Sequence, residues 1–210
     1  PSLLLVLSAD FLDMGLAAEL ARLFANESII EMGAGKGCYS SFFRRDKLRR
    51  EPQIQPPRVR AFDGSTNVGN QTVLTALLTR MALCHPTLHP ETYRISRNEA
   101  HPVMQAVLCL EVAEHIPQQH EEVFLQNLDR HNRQGIVLSW SDNEGGNGHV
   151  NRRSNRCVVD RFQKMGYLHD TESERALRAA VADIHWYRET LMVFRKVRAS
   201  VRLRSGQRQV

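Results

Sequence analysis

The fold of this chain is decided by residues 28–39, SIIEMGAGKGCY. A short apolar run ends in an acid, Glu31, and three glycines follow at every second position: Gly33, Gly35 and Gly37. This pattern predicts a buried parallel strand that gives way to a tight turn and opens a helix. Glycines let backbone come close to a ligand, and a helix start offers N–H groups that lack intrahelical partners. The stretch is therefore typical of a nucleoside-binding turn.

Two phosphate-binding motifs fit this turn poorly. A P-loop requires Lys followed by Ser or Thr, whereas Lys36 is followed by Gly37. A dinucleotide fingerprint requires Gly or Ala where this chain has Cys38, and Glu31 is badly placed beside a pyrophosphate. An ordinary glycine turn between a strand and a helix stays open as the plain alternative.

The pattern E-x-G-x-G-x-G resembles motif I of class I S-adenosylmethionine (SAM) methyltransferases. The cofactor of that family has no phosphate and carries a positive sulfonium and ammonium, so an acid at position 31 suits it. The resemblance implies that SAM is the cofactor. The residues expected to bind it are Glu31, Gly33, Ala34, Gly35, Gly37, Asp63, Gly64 and Glu111.

The resemblance extends along the chain from about residue 11 to 195. Residues 59–64 look like the second strand with its terminal acid, and residues 110–117, LEVAEHIP, resemble a segment common after the fourth strand. Residues 135–141 match the fifth strand. The motifs at residues 148–151, 166–170 and 190–195 complete the order that the family leads us to expect.

Periodicity independently predicts alternating helices and strands, and therefore a mostly parallel sheet with helices on both faces. We expect a single doubly wound, Rossmann-like α/β domain with an antiparallel last strand, as the family implies. The predicted helices are residues 11–25, 39–50, 118–131 and 155–165. The predicted strands are residues 28–32, 59–62, 106–111 and 135–140, with one more inside 187–195. Residues 68–83 are ambiguous, and residues 84–102 look like an irregular insertion.

Length and composition indicate one domain with a sizeable core. The chain has 210 residues, of which 42% are apolar and 24% charged, with a net charge of +5. We assign residues 1–196 to the methyltransferase-like domain and residues 197–210 to a basic, flexible tail. A small-molecule acceptor is the expected partner, although the tail leaves nucleic acid open. The oligomeric state is not predicted.

The compartment is predicted only weakly by composition. Four scattered cysteines without a C-x-x-C pair suggest reduced thiols and an intracellular, cytoplasmic protein. No apolar run approaches the ~18 residues that a membrane span requires. The chain begins at Pro1 rather than Met, which is compatible with a fragment of a longer protein. Organelle targeting is therefore not excluded.

Polar residues follow the predicted strands, where ligands bind in doubly wound sheets. Asp63 is placed to hold two ribose hydroxyls, its alternative being a turn-forming Asp-Gly. His115 is expected to act as a general base, since His titrates near neutrality, or else to pack behind the strand. Residues 144–151, EGGNGHVN, suggest either a mobile lid carrying His149 or a surface turn. The remaining assignments are His149 as a second catalytic residue, and Glu114 and Asn151 as substrate contacts.

The sequence departs from the family pattern at the third strand, which should end in an acid or amide that reads adenine. Residues 73–79 offer leucines there, although Asn98 or Glu99 could substitute. No metal site is predicted, because prolines interrupt the Cys84, His85 and His89 group. Two functions follow: SAM-dependent methyl transfer to an oxygen or nitrogen, or a degenerate methyltransferase fold that serves as a non-catalytic binding or scaffold module.

Overall fold

A computed structural model of the chain describes residues 12–44, 55–63, 78–80 and 104–197, with backbone alone at 78–80. The strands in these residues are β1 Ser28–Met32, β2 Arg58–Asp63, β3 Leu78–Arg80, β4 Met104–Cys109, β5 Asn132–Ser139, β6 Tyr167–His169 and β7 Leu191–Lys196. The α-helices are α1 Met14–Leu23, α2 Cys38–Phe43, α3 Glu121–Arg130, α4 Asn155–Lys164, α5 Thr171–Ala180 and α6 Tyr187–Thr190.

The strands form one sheet in the order β3-β2-β1-β4-β5-β7-β6. All described neighbours pair in parallel except β7, which runs antiparallel to both β5 and β6. The strand order reverses between β1 and β4, and this reversal is the switch point at which doubly wound sheets bind ligands. The predicted fold class is confirmed, including the antiparallel last strand.

Two hydrophobic cores cover the two faces of the sheet. On one face, Phe124 of α3 and Phe162 of α4 pack with strand residues such as Ile30. On the other face, Leu20 of α1 and Leu177 of α5 pack with residues that include Ile29. Adjacent residues of β1 thus enter opposite cores, as the alternation of a strand requires. Burial on both faces explains why β1 is a continuous apolar run.

The register of the sheet aligns the carboxyl ends of its central strands. Met32 lies opposite Phe62, and Glu31 lies opposite Leu108. The turn after β1, the end of β2 and the segment after β4 therefore meet at one edge of the sheet.

Several predicted boundaries differ from the structure. Strand β4 ends at Cys109 rather than at residue 111, because Glu111 adopts a positive φ of 54° that breaks the ladder. The helix predicted at 118–131 begins with a 3₁₀ turn over Gln118–His120 before α3 starts. Strand β5 begins three residues before the predicted Gly135.

Other predictions fall partly outside the described residues. Helix α2 is described only to Phe43, and residues 45–50 of the predicted helix lie outside. The insertion at 84–102 and the tail at 198–210 also lie outside. Within the described part of the chain, no helix is both long and apolar enough to cross a bilayer.

Candidate active site

The glycine turn after β1 is fixed by the end of β2. The Gly33 and Ala34 N–H groups both donate to the carbonyl oxygen of Phe62, at 2.8 and 3.0 Å. Gly33 has a φ of 78°, and a Cβ there would lie 2.2 Å from a methyl carbon of Val112. Gly35 and Gly37 also have positive φ values, 53° and 76°. This conformation favours glycine, and it explains the pattern that the sequence shows.

Glu31 lies at the end of β1 and is almost fully buried. Its carboxylate accepts hydrogen bonds from the Ser40 N–H at 3.1 Å and from the Ser40 hydroxyl. Burial raises the pKa of Glu31 to about 7; the hydrogen bonds from Ser40 oppose this shift, and the nearby charge of Asp63 adds to it. A cationic ligand group would relieve the cost of keeping this carboxylate ionised.

Asp63 is buried at the end of β2. The sequence predicts this acid as the residue that binds the ribose hydroxyls. Its carboxylate accepts a hydrogen bond from the Gly35 N–H at 2.8 Å. The acid thus supports the glycine turn directly. Gly64, the other predicted residue of this segment, lies outside the described residues.

Three carboxylates converge on the end of β4. The buried Cys109 thiol has a pKa raised first by burial and then by the charges of Glu114, Glu31 and Asp63. A pocket beside them is lined by Glu31, Gly33, Ala34, Cys38, Tyr39, Leu110 and Tyr187. Acids from three strand ends therefore lie at one edge, as the sheet topology predicts. The two tyrosines in the pocket wall were not anticipated from the sequence.

Glu111 occupies a conformation that non-glycine residues rarely adopt, with φ of 54°. Its N–H donates to the Ser139 hydroxyl at 2.6 Å, which in turn donates to its Oε1 at 2.8 Å. The Trp186 indole donates to its Oε2 at 3.0 Å. Burial raises the pKa of Glu111, against these two side-chain hydrogen bonds. Such a strained, fully bonded acid is typical of a functional site.

Glu114, His115 and His149 form a compact cluster next to Glu111. One ligand atom from each lies within 4.8 Å of the others, and His149 Nε2 is 4.0 Å from Glu114 Oε1. Glu114 is completely buried, and neither of its carboxylate oxygens has a hydrogen-bond partner among the described residues. Burial, followed by the charge of Glu111, raises the pKa of Glu114 to about 8. A buried carboxylate without a partner is costly, and a bound cation is one means of satisfying it.

The two imidazoles have defined tautomers. His115 Nδ1 lies 3.1 Å from the Gly148 carbonyl oxygen, and His149 Nδ1 lies 3.1 Å from that of Asn143. A carbonyl only accepts, so each Nδ1 carries a proton, and in a neutral imidazole the Nε2 atom then keeps its lone pair. Burial lowers the pKa of His115 and favours its neutral form. Imidazoles that donate Nδ1–H to a carbonyl while Nε2 is left to coordinate are typical of metal sites.

The segment that carries His149 is attached firmly to the Glu114 loop. The Val150 and Asn151 N–H groups both donate to the Glu114 carbonyl at 2.9 Å. The Asn151 side chain, predicted to contact substrate, is buried and donates to Glu121 Oε2 at 3.0 Å. Arg153 forms an ion pair with the same carboxylate at 2.8 Å. The Asn151 side chain is thus hydrogen-bonded within the protein.

The cluster fits a divalent cation by its donor chemistry. Two imidazole nitrogens and one carboxylate suit Mn²⁺, Co²⁺ or Zn²⁺, and such three-residue sets leave coordination positions for other oxygens. From the sequence, both histidines were expected to be catalytic and Glu114 to contact substrate, and no metal site was predicted. The set cannot be recognised from the sequence, because His149 lies far from Glu114 and His115 in the chain. Only the fold brings the loop after β5 back to the segment after β4.

Comparison with known proteins identifies the fold. The chain has the fold of class I SAM-dependent methyltransferases. Magnesium protoporphyrin IX methyltransferase (ChlM) from Synechocystis PCC 6803, solved with bound SAM, is 14% identical, with a TM-score of 0.52 over 87% of this chain and 76% of its own. The Burkholderia thailandensis 1,6-didemethyltoxoflavin-N1-methyltransferase, solved with S-adenosylhomocysteine (SAH), is 12% identical, with a TM-score of 0.50 over 89% and 80%.

A third similar structure is the small RNA methyltransferase HEN1. It is 13% identical, with a TM-score of 0.53 over 87% of this chain and 24% of its own. No family model and no curated protein matches the chain. At these identities, the likeness establishes the fold.

Proposed function

We propose that this protein is a SAM-dependent methyltransferase that methylates a hydroxyl group with the help of a divalent cation. The observation that carries the proposal is the position of the Glu114, His115 and His149 cluster. It joins the segment that follows β4 to the loop that follows β5, at the same sheet edge as the glycine turn. A nucleoside site and a metal-ligand set side by side suit transfer of a methyl group to an oxygen.

The cofactor half of the site is assigned to the turn and its acids. Gly33, Ala34, Gly35 and Gly37 are assigned to the close approach, and Asp63 is assigned to accept the ribose hydroxyls. Glu31 and Glu111 offer negative charge to the cationic end of the cofactor. When bound, SAM supplies an activated methyl group, whose C–S bond breaks as the acceptor oxygen forms its O–C bond and SAH is released.

The acceptor half is assigned to the cluster. Glu114 and the Nε2 atoms of His115 and His149 would hold the cation, which would supply a Lewis acid for an acceptor hydroxyl; the hydroxyl proton would pass to solvent. If His115 and His149 instead act as general bases, the same Nε2 lone pairs accept that proton directly. Removal of cations distinguishes the two roles. Asn151 supports the His149 segment through Glu121 in either case.

We place the terminal ribose of an RNA first among acceptors. Two adjacent hydroxyls would occupy the open positions that a three-residue ligand set leaves on a cation. Arg156 is exposed and follows His149 closely, in a chain of net charge +5, which suits phosphate groups. The likeness to a small RNA methyltransferase agrees with this choice. A small-molecule diol is the second candidate, since two similar structures are named for small-molecule substrates.

The acceptor is tested by transfer of labelled methyl from SAM in the presence of Mn²⁺. The panel contains a short oligoribonucleotide with an intact 2′,3′-diol, the same oligomer with a 2′-deoxy or 3′-deoxy end, and a catechol. We expect labelling of the intact diol and at least about tenfold less labelling of either deoxy end. Equal labelling of all three oligomers contradicts recognition of the diol, and labelling of the catechol alone favours the second candidate.

The cofactor assignment predicts a clear result in calorimetric titration with SAH. Gly35→Trp should abolish binding, because the indole fills the approach to the ligand. Asp63→Ala should weaken binding at least about tenfold, because it removes the ribose acceptor and the hydrogen bond to Gly35 together. Asp142→Ala is the matched control, an exposed acid after β5. Near-normal binding by Gly35→Trp would overturn the assignment of the turn.

A further inference from the structure

The loop over residues 143–149 supplies the hydrogen-bond acceptors for both imidazoles of the cluster. The Asn143 carbonyl accepts the Nδ1–H of His149, and the Gly148 carbonyl accepts the Nδ1–H of His115. The two rings meet edge to face, with centroids 5.0 Å apart. One loop therefore sets the tautomer of two side chains that come from different strand ends.

Three short-range hydrogen bonds fold this loop. The Asn143 N–H donates to the Ser141 hydroxyl at 3.1 Å, and its side-chain oxygen accepts the Gly145 N–H at 2.9 Å. The His149 N–H closes the turn on the Gly146 carbonyl at 3.4 Å. These bonds describe a turn that is closed on itself.

Gly146 has a steric relation to the cluster that its neighbour Gly145 lacks. A Cβ at Gly146 would lie 1.9 Å from Cε1 and 2.2 Å from both ring nitrogens of His149. A Cβ at Gly145 would meet only Asn143 Oδ1, at an ordinary 3.5 Å. Both glycines have φ values outside the positive range. An added methyl group at 146 therefore acts on the His149 ring, which is the movable partner in this contact.

We infer that residues 143–149 are a rigid template for the metal ligands, and that Gly146 is a positioning residue that directs His149 Nε2 toward Glu114. The inference rests on the proposed function, in which the Nε2 atoms of His115 and His149 bind the same cation. The template holds both donors in place before the cation arrives, so that binding requires little reorganisation. The glycine is needed because any side chain occupies the space of the imidazole.

The test is Co²⁺ binding to the full chain, followed by visible absorption. Wild type and Gly145→Ala should bind one equivalent with affinities within about twofold of each other. Gly146→Ala should bind at least about tenfold more weakly, since displacement of a single ligand or its orienting partner typically costs 10–100-fold. Equal affinity for all three proteins would overturn the inference. Absence of Co²⁺ binding by wild type would instead overturn the proposed cation site.

A second readout separates positioning from damage to the fold. In cation-free wild type, ¹⁵N-resolved NMR of the imidazoles should show His115 and His149 protonated on Nδ1. In Gly146→Ala, His149 should lose that tautomer while the thermal unfolding midpoint stays within about 2 °C of wild type. Retention of the Nδ1–H tautomer by His149 in Gly146→Ala would contradict the template.

Discussion

Replacement of Glu114 by Gln is expected to reduce methyl transfer at least about a hundredfold, because it removes the only carboxylate of the described cluster. The shape of the side chain is retained, and only its charge and its capacity as a ligand are lost. Glu122→Gln is the matched control, an exposed glutamate that pairs with Arg161 on the surface. Steady-state rates at saturating SAM and acceptor measure the effect. Full activity of Glu114→Gln would exclude this residue from the chemistry.

Glu114→Gln should lower activity, but it should also remove a loss of unfolding free energy that wild type suffers as pH rises. Because the pKa of Glu114 is raised to about 8 in the folded state, folding favours its protonated form. Its contribution to stability is present below the unfolded pKa, near 4.3, and is lost as pH rises through about 8. In EDTA, the unfolding free energy of wild type should therefore fall between pH 5 and 8 more steeply than that of Glu114→Gln. Glu31 adds a decline of the same sign, with a folded pKa of about 7, to both proteins.

Cation binding should reverse this penalty. At pH 8, Mn²⁺ should raise the unfolding midpoint of wild type, since a ligand that binds only the folded state stabilises it. The midpoint of Glu114→Gln should respond much less. If the unfolding free energies of the two proteins change equally with pH in EDTA, the pKa of Glu114 is not raised by burial as the structure indicates.

Replacement of Asp13 by Ala is expected to cost at least about 3 kcal/mol of unfolding free energy. Asp13 is completely buried and caps α1 through the Leu16 N–H at 2.8 Å. Its carboxylate also accepts from the N–H groups of Ala182, Asp183 and Ile184 at 2.8 to 3.1 Å. Alanine would leave these backbone donors without their acceptor. The contact between Asp13 and residues 182–184, here called the Asp13 junction, would be lost. Denaturant titration measures the loss.

Burial raises the pKa of Asp13, but its backbone hydrogen bonds outweigh this and lower the net value. The stabilisation by its charge is thus present above the unfolded pKa, near 3.9, and is lost as pH falls through the folded pKa. The difference between wild type and Asp13→Asn should narrow below about pH 4. Asp183→Asn, an exposed acid in the same junction, should change stability by less than about 0.5 kcal/mol. A loss at Asp13 no larger than this control would contradict the account.

The Asp13 junction also bears on the candidate site. Asp13 N–H donates to the Tyr39 hydroxyl at 3.4 Å, and the Tyr187 N–H donates to the Ile184 carbonyl at 3.0 Å. Tyr39 and Tyr187 both line the pocket next to Glu31. A variant that loosens the junction should therefore bind SAH more weakly even under conditions in which it stays folded.

Local patterns in the sequence predicted five of the seven described strands, and the short strands β3 and β6 were missed. Strand β1 was predicted to the residue because burial on both faces produces a continuous apolar run, and the glycines after it are required by positive φ values. Helix α4 was predicted within one residue, since Gly166, at φ 91°, marks its end. Helix α5 was missed because its only fully buried residue is Leu177, which leaves a mostly polar segment.

The candidate site was predictable only in part, because its contacts join distant segments. Strand ends identified Glu31, Asp63, Glu111 and Glu114 as residues at one edge, since topology alone brings them there. No local pattern shows that the loop after β5 returns its histidine to Glu114. Likewise, the helix predicted from residue 11 begins at Met14 with Asp13 as its N-cap, and the partners of Asp13 169 to 171 residues later were not anticipated.

We propose that the cluster beside the cofactor turn works through a divalent cation. The most direct test is methyl transfer from labelled SAM to the diol-ended oligoribonucleotide by protein dialysed against EDTA and then titrated with Mn²⁺. The account predicts negligible transfer after dialysis and a saturable return of activity with one equivalent of bound Mn²⁺. Full activity without any cation, or none at any Mn²⁺ concentration in protein that binds SAH, would contradict it.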